Sequence, residues 1–143
     1  MAQDNGETFI RSRGLVWSQV DLGDEFDVTT LSLIGALDPS GSVGVVDDVL
    51  TAFRTSLEPL LEKFERCRKA GSVSGVMFEA HKLRSAAGQM GAKRLEAACV
   101  AIGKYDQSGG RAKPDVFDEE LGALADYLVW ETIRVQRRLR KLL

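Results

Sequence analysis

The chain has 143 residues, 44% of them hydrophobic and 28% charged, with a formal net charge of -2 at pH 7. That is length enough for one domain with its own core, and a charge too near zero to point to nucleic acid or a strongly acidic substrate. Two cysteines, Cys67 and Cys99, beside a single histidine make neither a disulfide framework nor a structural zinc site. Both are read as packed thiols of a reducing cytoplasm. The N-terminus shows no apolar stretch of signal-peptide type, and no run is long enough to span a bilayer.

Residues 1–25 mix polar residues and glycine with isolated hydrophobes and read as a flexible tail, with room for one docked turn around Leu15–Val20. A short helix is predicted after Asp27, capped by Thr29, with Leu31, Ile34 and Leu37 on one face; Asp38-Pro39-Ser40-Gly41 ends it. A long helix follows from Val43 to Ala70, capped by Ser42. Val46, Val49, Leu50, Phe53, Leu57, Leu60, Leu61 and Phe64 form its apolar stripe, and Pro59 bends it. The third helix starts at Ser72, carries Val73, Val76, Ala80, Leu83, Ala87 and Met90 toward the core, and stops at Gly91. The fourth spans Ala92–Gln107 and buries Leu95, Ala98, Cys99 and Ile102, with Ser108-Gly109-Gly110 as the break. The last begins at Pro114, opens on acidic residues and closes on Arg134, Arg137, Arg138, Arg140 and Lys141, a polarity that suits the helix dipole. No strand period and no internal repeat is visible. The predicted fold is all-α: an antiparallel four-helix bundle over residues 26–143, with the short first helix as a lid across one end.

His81 lies on the flank of the third helix's buried stripe, level with Met77, Ser85 and Gly88. A lone helical histidine is most often a plain surface or core residue. Its neighbours argue for more. A neutral imidazole is a good nucleophile toward phosphorus, and a phosphorylated imidazole needs a nearby cation. Arg84, three residues on, can be that cation, and Lys82 is less well aimed. Ser85 and Gly88 are small and leave room for a second protein's reactive centre.

Ala80-His81-Lys82-Leu83-Arg84-Ser85-Ala86-Ala87, followed by Gly91-Ala92, Leu95 and Cys99, resembles the signature of histidine phosphotransfer (HPt) domains of two-component phosphorelays. The resemblance extends over roughly residues 26–142. It implies a phosphocarrier with little catalysis of its own and no cofactor. His81 would be the phosphoacceptor, Arg84 helped by Lys82 the phosphoryl-stabilising pair, and Ser85, Gly88 and Gly91 the source of clearance and of a tight turn. Its implied partners are receiver domains of response regulators and of a hybrid histidine kinase, which would bring the magnesium ion. Nucleic acid and membrane are not expected, and a monomer is. Two departures stand out. Ser85 replaces the family's usual glycine. Gly103 occupies the position where many members carry a Gln or Glu for the second ring nitrogen, which leaves the imidazole's orientation to water or to a side chain such as Gln89.

Met77 and Phe78, one turn before His81, are apolar where such domains are usually polar. Met77 reads equally as core or as part of a docking patch, while Phe78 points away from the stripe and reads as docking surface. The basic C-terminal cluster reads as a solvated helix end rather than a nucleic-acid patch. Other possibilities are an HPt-like adaptor that binds a kinase or receiver without transfer, and the phosphorylatable piece of a chemotaxis-type kinase.

Overall fold

The computed structural model describes residues 8–107 and 117–143. In chain order the elements are β1 (Ile10–Ser12), β2 (Leu15–Trp17), α1 (Gln19–Leu22), α2 (Val28–Gly35), α3 (Val45–Lys69), α4 (Val73–Met90), α5 (Lys93–Gln107) and α6 (Glu119–Leu142). The helices α3 to α6 form the bundle. Each packs on its neighbours in sequence, and α6 closes back on α3, which leaves α4 and α6 diagonal to one another. The predicted apolar stripes meet at the centre, where Leu50, Leu57, Phe64, Val76, Leu83, Leu95, Ile102, Leu121, Leu128 and Leu139 are all buried. Pro59 lies inside α3, as expected. Cys99 is buried and Cys67 half-buried, both as free thiols. The helix break at Ser108-Gly109-Gly110 and the helix start at Pro114 lie outside the described residues; α6 is seen from Glu119, capped by Asp118, whose carboxylate accepts from the Leu121 N–H at 2.9 Å.

Residues 8–25 differ from the expected tail. Ile10–Ser12 pairs antiparallel with Leu15–Trp17 through a two-residue turn, Arg13-Gly14, in which both residues have positive φ, 49° and 81°. Ile10, Trp17 and Leu22 are buried in the common core. Glu25, also buried, accepts from Arg134 Nη2 at 2.8 Å and from Arg138 Nε at 3.0 Å, which pins the segment to the last turns of α6. Arg134 and Arg138, two of the five residues of the basic cluster read as solvated, are therefore occupied inside the protein. Arg137 lies 6.0 Å from the Trp130 ring, and Arg140 and Lys141 stay exposed in the last turn.

Acceptors outside the helix, one of them from this segment, take the place of a Ser42 cap at the start of α3. Its first residues find acceptors from elsewhere in the chain. Asp38 accepts from the N–H groups of Gly44 at 2.9 Å and of Val43 and Val45 at 3.3 Å, and Ser12 Oγ accepts from that of Asp47 at 3.1 Å. Thr29, expected as the cap of α2, instead donates its N–H to Asp27, the actual cap, at 3.2 Å.

The lid is α2, which rests on β1, α3 and α4. It meets the end of α4 at Gly91, whose φ of 71° requires the left-handed region and whose position leaves no space for a Cβ beside Thr30. The Asp27 N–H donates to the Gly91 carbonyl at 2.9 Å, and Lys93 pairs with the Asp27 carboxylate at 3.0 Å. The turn that starts α5 is thereby fixed, and with it the register of α5 against the middle of α4.

Candidate functional site

Helix α4 is set by local chemistry at both ends. Ser72 Oγ accepts from the Gly75 N–H at 3.1 Å to open it, and Gly91 closes it. His81 falls at its midpoint and is exposed. Beneath it Ala80 and Leu83 are buried, so the backbone that carries the imidazole is anchored in the core while the ring faces solvent. Among the described residues no side chain hydrogen-bonds the ring. Gln89 does not orient it: it lies about two turns further on and lines a groove of about 320 Å³ between α3 and α4 with Val49, Ala52, Phe53, Ser56, Ala86 and Met90. At Gly103 an added Cβ would meet nothing within 4 Å.

Arg84 is exposed and makes no ion pair or hydrogen bond among the described residues. It stands four residues before Gly88, which faces Glu96 of α5, so it lies on the α5 flank of α4, and its charge reaches the buried Cys99 thiol there. Burial pushes that thiol up to about 12, the Arg84 guanidinium pulls it down and the Glu96 carboxylate pushes it up again. Cys99 is thus a packed thiol, not a nucleophile. Ser85 is exposed and its hydroxyl donates back to the His81 carbonyl at 3.3 Å, which folds the side chain onto its own helix. Gly88 is part of a close contact: a Cβ there would stand 3.0 Å from Glu96 Oε2, so the space above Gly88 is partly filled by that carboxylate.

Lys82 does not reach toward Arg84. Its Nζ is 3.8 Å from Glu79 Oε2 and 4.5 Å from the centroid of the Phe78 ring, both on the turn before His81. Phe78 is 59% exposed, whereas Met77 is half-buried and packs against the core. Sequence reasoning missed Glu79 and Glu96. A charged residue in a helical pattern reads as solvent-facing, and only the packed neighbours show that Glu79 is buried and that Glu96 lies against α4. No group of three or more His, Cys, Asp or Glu side chains among the described residues could hold a metal ion.

The arrangement is an exposed imidazole on a helix anchored in the core, with a guanidinium one turn on that pairs with nothing among the described residues. A family model for the Hpt domain matches residues 48–129, more than half of the chain, and the match contains α4 and its histidine. The chain belongs to the Hpt family. No curated protein and no solved structure gives a match. Hpt domains are phosphocarriers that act with receiver domains in two-component signalling, and histidine phosphotransfer is the chemistry of this chain at that level. The match also accounts for the all-helical bundle, to which the small hairpin is an addition at one end. No helix among the described residues is long and apolar enough to cross a membrane.

Proposed function

We propose that this Hpt domain is a monomeric cytoplasmic relay that accepts a phosphoryl group on His81 from one receiver aspartate, such as that of a hybrid histidine kinase, and passes it to the receiver of a response regulator. The lone pair of the outward ring nitrogen forms the N–P bond as the P–O bond to the aspartate breaks. The electron pair leaves on the aspartate carboxylate, and the imidazole proton stays on the other ring nitrogen. Arg84 meets the charge on the phosphoryl oxygens. The magnesium ion and most of the electrostatic stabilisation belong to the receiver.

The observation that supports this reading is the exposed His81 ring with Arg84 one turn on, which makes no ion pair among the described residues. Exposure lets a visiting aspartate come in line. A guanidinium that no carboxylate of the described residues engages is free to take an anion from outside. Ser85, folded back onto the helix, leaves the approach open in place of the usual glycine, and Gly91 holds α5 in register. Phe78 supplies apolar docking area next to the ring, with Met77 contributing from its half-buried position.

Incubation with a phosphorylated receiver tests the proposal. An acid-labile, base-stable label on the native chain and none on His81→Gln is the expected result. Receiver binding without any label would favour the adaptor reading instead.

A further inference from the structure

Glu79 is the anomaly of helix α4. It sits two residues from His81, is only 7% exposed, and one of its oxygens, Oε1, is buried with no hydrogen-bond partner among the described residues. Burying a carboxylate without full pairing is unfavourable, and an apolar side chain would serve the core better. What the carboxylate does hold is Lys82, whose Nζ lies 3.8 Å from Oε2. The same ammonium lies over the Phe78 ring at 4.5 Å from its centroid. Residues 78, 79 and 82 are three and four apart, so the three side chains meet on one flank of the helix.

We propose that Glu79 is a positioning residue for the phosphotransfer site: it anchors Lys82 over Phe78 and so withholds that ammonium from a phosphoryl group on His81, leaving the group to Arg84. The inference rests on the reading of His81 as the phosphoacceptor. Lys82 is the residue next to His81, and a lysine stem is long and flexible enough to swing toward an anion on its neighbour. Two attractions hold it back, one to a buried carboxylate that has no other cation within pairing distance among the described residues, the other to an aromatic face. Arg84, on the opposite flank toward α5, is under no such restraint. Glu96 also lies on that α5 side, against Gly88, without pairing with Arg84.

The consequence concerns the phosphorylated state. A second cation on the phosphoryl oxygens would favour phosphohistidine over the free imidazole and oppose onward transfer. A relay works in both directions only if its phosphorylated form is not held too firmly. Restraint of Lys82 keeps the site at one cation.

The test loads the full chain with phosphoramidate, which needs no receiver. The imidazole lone pair forms the new N–P bond, the P–N bond of the reagent breaks, ammonia leaves with that electron pair, and the imidazole proton stays on the other ring nitrogen. Phosphorus NMR then follows the titration of the phosphoryl group. In Glu79→Gln the freed Lys82 should lower the titration midpoint by roughly 0.5–1 unit relative to the native chain. Lys82→Met should titrate as the native chain does, and Glu79→Gln with Lys82→Met should return to the native value. A native midpoint in Glu79→Gln would overturn the proposal, as would a raised midpoint in Lys82→Met alone, a surface variant that keeps the test valid even should Glu79→Gln fold poorly. No phosphohistidine resonance in the native chain would sink the phosphoacceptor reading itself, and this inference with it.

Discussion

Two regions of the molecule handle charge in opposite ways. Where the N-terminal segment meets α6, charged groups are matched within the protein: Glu25 is shared by Arg134 and Arg138, and nearby the fully buried Glu131 takes Arg94 Nη2 at 3.1 Å. Around His81 the matching is incomplete. Arg84 has no partner among the described residues, Glu79 has one loose one, and the imidazole has none. Matched charges hold the fold. Unmatched charges beside the one imidazole of the chain are available to another molecule, and it is their coincidence with His81 that distinguishes them from the exposed Arg140 and Lys141 of α6.

Exchanging the roles of the two regions should fail in both directions. Glu25→Ala removes the carboxylate that two guanidiniums share, leaving Arg134 only the longer contact to Glu131 and Arg138 only the Asp21 carbonyl, and should cost about 3 kcal/mol of stability, read as a lowered denaturant midpoint, while phosphorylation of the folded fraction at His81 is unchanged. Arg84→Ala should do the reverse, with stability within about 0.5 kcal/mol of native and phosphotransfer slowed roughly 10- to 100-fold in rapid-quench kinetics. Phe78→Glu should weaken receiver binding several-fold, measured by titration calorimetry, without unfolding the domain. Unchanged transfer kinetics in that variant would remove Phe78 from the docking surface.

The smallest effect separates the regions by pH. Glu25, Asp27 and Asp38 are each pushed upward by burial, and each is held below its ordinary carboxylate value by opposing contacts that together outweigh it. These are the guanidiniums of Arg138 and Arg134 at Glu25, Lys93 and the Thr29 N–H at Asp27, and the N–H groups of Val45, Gly44 and Val43 at Asp38. Groups lowered in the folded state contribute stability that is present above their unfolded values and lost as pH falls through the folded ones. Thermal unfolding should therefore show a decline on the acid side of the ordinary carboxylate range, and Glu25→Gln or Asp38→Asn should flatten it.

Much of this was legible in the chain. The stripes of α3, α4 and α6 repeat at helical spacing, Ser72 and Gly91 mark both ends of α4 by local chemistry, and a single histidine leaves one place for imidazole chemistry. The hairpin was not legible. Strands of three residues are too short to show alternation, and the turn uses Arg13 where Asn or Asp would have signalled it. The caps of α3 were missed for a related reason: Ser12 and Asp38 reach it from outside the helix, and only tertiary structure brings them there. Glu25, Glu79 and Glu131 share a third cause. A carboxylate looks solvent-facing in sequence until the cation beside it, or across the bundle, is in view.

The most direct measurement uses the fact that the protein has one imidazole. In a nitrogen-15-labelled chain, NMR after transfer from a phosphorylated receiver should show phosphorus coupling at one ring nitrogen of His81, with the methyl signals of Leu83 and Ala87 unmoved. An unaltered imidazole spectrum, with the phosphoryl group on another residue or never leaving the receiver, would contradict the account.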